Sequence, residues 1–121
     1  MNHSESHSLP GKIFNLEPAA SLRGNVVVPG DKSMSHRSIM FGAIAHGVTE
    51  ISGFLEGEDS LHTLDAFRSM GVRIERGGVG EVVLYGSGST AIRPAPKPIY
   101  LGNSGTGMRL LTGLLAGMNI P

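Results

Sequence analysis

The residues best suited to chemistry lie in Pro29-Gly30-Asp31-Lys32-Ser33-Met34-Ser35-His36-Arg37, which sets cations and hydroxyls at what reads as the start of a helix. A helix start presents free N–H groups and a partial positive charge, so it attracts an anion. Gly30 permits a sharp turn and a close approach of backbone. Lys32 adds a full charge and Ser33 a hydroxyl donor. Arg37, one turn further on, offers a planar fork to a carboxylate or phosphate. For any one of these residues an ordinary reading competes: Ser33 or Ser35 caps the helix, and Lys32 and Arg37 are solvated. For the set together an anion site is the better account.

A second stretch, Leu101-Gly102-Asn103-Ser104-Gly105-Thr106-Gly107-Met108-Arg109, has the same plan with less charge and more glycine. Gly105 and Gly107 let N–H groups form a nest for a small anion, while Asn103 and Thr106 can donate or cap. Taken alone this is weak, since glycine-rich stretches are usually ordinary loops. Sliding the sequence by 72 residues, however, aligns Gly30 with Gly102, Asp31 with Asn103 and Arg37 with Arg109. Two similar entries to a helix fit an architecture of stacked, similar units.

Other chemistries find less support. Neither stretch has the spacing of a P-loop, Gly-x-x-x-x-Gly-Lys-Ser/Thr. His3 and His7 lie near the start of the chain, and His36, His46 and His62 show no ligand spacing with nearby carboxylates, so no metal site is expected. Glu56, Glu58 and Asp59 could form an acid/base cluster, but an acidic helix start explains them more simply. With no cysteine there is no disulfide or thiolate chemistry. Formal charge is zero, so no global field draws nucleic acid or an anionic membrane, and any anion site must be local. The most apolar stretch, 110–120, is far shorter than the roughly 20 residues of a membrane span.

The elements that must position these groups follow from periodicity. Residues 1–11 read as a disordered polar tail. A short strand is expected at 12–16, before Pro18, and a firmer one at 25–28, closed by Pro29-Gly30. A helix follows from Ser33 or Ser35, with Ile39, Met40, Ala43 and Ile44 on one face, Met34 covering the first turn, and Gly47 as the stop. Val48-Thr49-Glu50-Ile51 reads as a strand. Leu61, Leu64, Phe67 and Met70 mark a second helix, entered through Gly57-Glu58-Asp59-Ser60 with an acidic N-cap and ended by Gly71. Residues 72–76 and 81–85 alternate around Gly77-Gly78-Val79-Gly80 as a hairpin. The segment 86–98 is a loop, and then a strand at 99–101 and a helix over 106–116 begin a new unit. The fold class is therefore α/β in the α+β sense: one βαβαββ unit at 22–86 and the start of a second at 98–121. Glycine, 18 of 121 residues, serves the many turns this needs.

At the two helix entries the sequence resembles the enolpyruvyl transferases, and most closely the 5-enolpyruvylshikimate-3-phosphate synthases. The resemblance runs from about residue 12 to the end and includes Gly53-Phe54-Leu55-Glu56-Gly57-Glu58-Asp59. His36 and Leu110 are similar to the second, often glyphosate-tolerant, class of that family. The resemblance implies that Lys32, Ser33 and Arg37 hold shikimate 3-phosphate, and that Lys32 also faces phosphoenolpyruvate. Gly105 would line the phosphoenolpyruvate pocket, with Asn103 and Thr106 in the same loop and Arg109 structural. It further implies enolpyruvyl transfer to the 5-hydroxyl through a tetrahedral intermediate, with no metal or cofactor, in a monomeric cytoplasmic enzyme.

Members of that family are several times longer and fold as two domains, each of three βαβαββ units around a cleft. The resemblance thus implies that this chain is an incomplete half-site of such an enzyme, that no catalytic acid or base lies in it, and that it is inactive alone. In the family the strand near Ile13 belongs to the other domain. Helix faces left without partners would favour self-association. Two alternatives compete: a non-catalytic fragment or binding module, and part of the sister enzyme, UDP-N-acetylglucosamine enolpyruvyl transferase. Asp31-Lys32-Ser33 with Arg37 fits the shikimate enzyme better than that sister.

Overall fold

In the computed structural model, which describes residues 11–120, helix α1 runs over Lys32–Ile44. Its N-cap is Asp31, whose Oδ1 accepts the Met34 N–H at 2.7 Å, so the helix starts earlier than Ser33 or Ser35 and neither serine is the cap. Strand β1 (His46–Ile51) follows at once, then α2 (Glu58–Ser69), β2 (Arg73–Arg76), β3 (Val82–Ser87), a 3-10 turn (Ser89–Ala91) and α3 (Gly105–Ala116). The expected tail at 1–11 lies, Gly11 apart, outside the described residues.

The three strands form one antiparallel sheet in the order β1-β3-β2, with Ile51 opposite Val82 and Ile74 opposite Leu84. Alternation puts Ile74, Val82 and Leu84 on the covered face, against Ile39, Met40 and Ala43 of α1 and Leu64 and Phe67 of α2. Both helical stripes read from the sequence are thus buried, with Leu61 and Ile44 only partly so. Met34 does not cover the first turn; it is exposed. Burial of side chains this size is worth about 1.5–3 kcal/mol each, which is what holds two helices on so small a sheet.

Three expected strands do not form. Residues 12–16 and 25–28 are irregular, and Ile13, Phe14, Leu16, Val26, Val27 and Val28 are exposed, Val27 at 96%. A strand exists only as part of a ladder, and no described strand lies beside these runs. The described order is accordingly αβαββ rather than βαβαββ. Residues 99–101 are irregular as well: Leu101 is buried, but its carbonyl is taken by the Ser104 N–H at 3.3 Å, which turns the chain straight into α3.

The α1 start is tied to the rest by a short chain of bonds. Ser35 donates its hydroxyl to the Asp31 carbonyl at 2.7 Å and accepts the Leu55 N–H at 2.9 Å. The Phe54 N–H reaches the Gly80 carbonyl at 2.9 Å, so the same loop is fixed to the β2–β3 turn. Gly30 passes so close to this loop that a Cβ there would stand 1.8 Å from the Gly53 carbonyl oxygen. Deeper between the helices, His36 of α1 and Thr63 of α2 are fully buried, with His36 Nδ1 2.7 Å from Thr63 Oγ1.

Gly30→Ala is expected to lower stability by about 1–3 kcal/mol, the usual cost of overpacking, because the obstacle is backbone that cannot rotate away. Urea unfolding measures this, and a variant within error of the parent would contradict the close approach. A second expectation concerns pH. Burial, then the Lys32 charge, push the His36 pKa below the ordinary 6.5, with Asp59 acting the other way. Protonation therefore favours the unfolded chain: stability is complete above the ordinary value and falls as the pH drops below 6.5. His36→Gln should flatten the urea midpoint against pH in that range, and an unchanged slope would assign it to another group.

Candidate functional site

The two helix starts singled out by the sequence are both real N-termini, each capped from outside by a short side chain. At α3 the cap is Ser104, whose Oγ accepts the Gly107 N–H at 2.9 Å, the same three-residue step by which Asp31 caps α1. In capping role Asp31 thus corresponds to Ser104, one position off the 72-residue alignment, and Asn103 is an exposed turn residue rather than the cap. Gly102 before it adopts φ +60°, a left-handed conformation that suits glycine.

Around α1, Lys32 and Ser33 are the first two helical residues. The Lys32 ammonium is ion-paired with the Asp59 carboxylate and stays half exposed. That hydrogen bond, above all, holds Asp59 below the usual carboxylate range. Asp59 and Glu58 lie within the first turn of α2, where the helix dipole favours negative charge; the cap itself is Gly57, which has no side chain to offer. The acidic N-cap expected there is therefore an acidic first turn instead. Glu56 stands apart from both: its Oε1 accepts the Gly80 N–H at 3.0 Å and is ion-paired with the Arg76 guanidinium at 3.0 Å, and these contacts, the backbone one foremost, lower its pKa. It clamps the hairpin turn.

Ser33 is half-buried and Arg37 exposed, and Arg37 forms no ion pair among the described residues. Arg37 does share a groove of about 350 Å³ with Arg109, floored by Met40, Ile44, Leu110 and Leu114. Gly105 is exposed with open space where a Cβ would point, Thr106 is half-buried, and Gly107 is buried against Ser104 and Thr63. The structure thus brings Lys32 to Asp59 and Arg37 to Arg109, and it links the α1 and α3 starts through α2.

Sequence reasoning missed Asp31 as the cap, Asp59 as the partner of Lys32, and the His36–Thr63 contact. The first had a signal, since Asp three residues before Met34 is a favoured capping spacing. The last had none: each residue sits inside an apolar stripe, 27 positions apart. Among the described residues no three potential ligands gather around a point where a metal could sit, and no helix is long and apolar enough to cross a membrane.

What the arrangement can do chemically is hold anions at two capped helix starts with a lysine at one of them. Comparison with known proteins places the chain in a family. The family model for EPSP synthase (3-phosphoshikimate 1-carboxyvinyltransferase) matches residues 16–121. A 3-phosphoshikimate 1-carboxyvinyltransferase of Nitrosococcus oceani is 55% identical over 119 residues, covering 98% of this chain and 27% of the relative. One from Citrifermentans bemidjiense is 57% identical over 106 residues, covering 88% and 24%. The solved EPSP synthase from Acinetobacter baumannii superposes with a TM-score of 0.74 at 58% identity, over 78% of this chain and 22% of that one. The chain spans about a quarter of the length of these curated relatives. A family match over residues 16–121, with relatives more than half identical to this chain, means that this chain belongs to the EPSP synthase family.

Proposed function

We propose that the protein to which this chain contributes transfers the enolpyruvyl group of phosphoenolpyruvate to the 5-hydroxyl of shikimate 3-phosphate, and that these residues form part of one wall of the site. The 5-oxygen adds to C2 of phosphoenolpyruvate while the methylene carbon takes a proton. Loss of phosphate and of a methyl proton then leaves the enol ether; the proton taken up at the methylene is thereby returned, and the proton given up by the 5-hydroxyl leaves with the phosphate. The family match, to 3-phosphoshikimate 1-carboxyvinyltransferases, supports the shikimate enzyme over its UDP-N-acetylglucosamine sister.

Within that reaction Lys32, Ser33 and Arg37 bind shikimate 3-phosphate, Lys32 also meets phosphoenolpyruvate, and Gly105 presents backbone to the phosphoenolpyruvate pocket, with Asn103 and Thr106 beside it. The observation that supports this best is the Lys32–Asp59 pair. An ammonium has three donors, and a half-exposed one can keep Asp59 and still turn to a phosphate. Orientation and charge stabilisation are what such a transfer asks of the protein.

We divide the chain into a first unit at 22–86 and the start of a second at 98, as in a domain of repeated βαβαββ units. On that reading the exposed runs 12–16 and 25–28, and the apolar groove between α1 and α3, are covered by further chain. Without it they favour self-association. The enzyme is taken as monomeric and cytoplasmic.

Two outcomes are expected. The 121-residue chain, given shikimate 3-phosphate and phosphoenolpyruvate, releases no measurable phosphate, because charges meeting in open water interact by only about 1 kcal/mol. Turnover by a preparation of verified mass would contradict this. In a protein of the relatives' length carrying this sequence, Lys32→Ala lowers kcat/KM by about 2–4 kcal/mol of transition-state stabilisation. Unchanged steady-state kinetics would remove Lys32 from the site.

A further inference from the structure

The first turns of α1 and α2 meet at the Lys32–Asp59 pair, and one turn deeper the same helices meet again at His36 and Thr63. There both side chains are fully buried, 2.7 Å apart. A helical threonine commonly returns its hydroxyl to the carbonyl four residues earlier, yet this one has a partner on another helix. Thr63 also faces α3, since a Cβ at Gly107 would lie 3.2 Å from Thr63 Oγ1. One hydroxyl therefore bonds to α1 and faces the first turn of α3, where a side chain at position 107 would crowd it.

If packing were the only need, an imidazole and a hydroxyl would be a poor choice here. Buried polar groups are costly unless bonded, and His36 Nε2 has no partner among the described residues. An apolar pair of the same shape can hold two helices about as firmly. What it cannot supply is a directional bond, which fixes how far one helix slides along another. Burial and the Lys32 charge keep the His36 ring neutral near pH 7, so it retains one donor and one acceptor nitrogen. Besides Lys32 on its own helix, the charge acting on it is Asp59 of α2; on α3, Arg109 is exposed.

We infer that the buried His36–Thr63 hydrogen bond is a positioning device that holds the α1 start, with Lys32 and Ser33, in register with the α3 start, with Gly105 and Thr106. Neither residue touches a ligand. They act by keeping both anion-binding ends where one pair of substrates can meet them, and in this respect the inference rests on the proposed function.

The test compares Thr63→Val, Thr63→Ser and the double variant His36→Leu/Thr63→Val with the parent 121-residue chain. Shikimate 3-phosphate affinity is read by NMR titration, stability by urea unfolding, and local opening by amide exchange at Gly107. Thr63→Val is expected to weaken binding about tenfold, within the range for a coupling residue that contacts no ligand. Thr63→Ser, which keeps the hydroxyl, stays within about twofold of the parent on the same reasoning. The double variant should regain the parent's urea midpoint without regaining affinity. Recovery of affinity together with stability, or parent-like binding by Thr63→Val, would overturn the inference and leave packing as the whole role. Should the double variant not fold, the contrast between Thr63→Val and Thr63→Ser decides. If the parent binds no shikimate 3-phosphate, it is the substrate reading that fails, and exchange in the ligand-free chain decides register: faster exchange at Gly107 in Thr63→Val, but not in Thr63→Ser, supports the link, and equal rates in both overturn it.

Discussion

The Asp31 carboxylate, accepting the Met34 N–H, decides where α1 begins, and the use of every group near that end follows from it. Had Ser33 or Ser35 been the cap, its hydroxyl would have been spent on the helix's own backbone. With Asp31 outside, Lys32 and Ser33 become the first helical residues, and the partial positive charge of the turn lies beside them. Ser35 is then free to fasten that turn to the 53–55 loop, and Gly30 to let the backbone pass. The same logic recurs at α3, where the Ser104 cap leaves Gly105 and Thr106 as the opening residues.

Charge in this chain is arranged locally, as a net charge of zero requires. Three acidic residues within four positions do two different jobs. Glu56 is consumed by the hairpin turn and Arg76, while Asp59 neutralises Lys32 from the favourable end of α2. On the proposed function, an entering phosphate meets a lysine that is already held but not buried. An exposed pair of this kind contributes little to stability, so its value lies in where it holds the ammonium. We assign the lasting alignment of the two helix ends instead to the buried Thr63, bonded to His36 and facing Gly107.

Much of this was legible in the sequence, for physical reasons that also mark the limits. Helical stripes such as Leu64-Phe67-Met70 and the hairpin around 77–80 are set by local periodicity and glycine, and both formed. Both helix entries were visible as composition, and the family from the residues within them. The runs at 12–16, 25–28 and 99–101 looked like strands because strand propensity is local, yet a strand is a property of two segments. The likeness of the two helix entries was visible, but its caps were mis-registered by one residue, because Asp31 resembles Asn103 more than it resembles Ser104, the residue with its role. His36 and Thr63 were silent, since nothing in one dimension says that two polar residues in separate apolar stripes will meet.

The central claim is that both helix starts face the substrates, and locating the ligands on the chain tests it most directly. Backbone amide signals of the 121-residue chain are followed while shikimate 3-phosphate, and then phosphoenolpyruvate, is added. The account predicts that shikimate 3-phosphate moves the signals of Lys32, Ser33 and Arg37, and that phosphoenolpyruvate moves those of Lys32, Gly105 and Thr106, with saturation in the millimolar range or weaker, ~4 kcal/mol of binding at most. Shifts confined to the outer face of the sheet, around Glu75 and Tyr85, with the two helix starts unmoved, would contradict it.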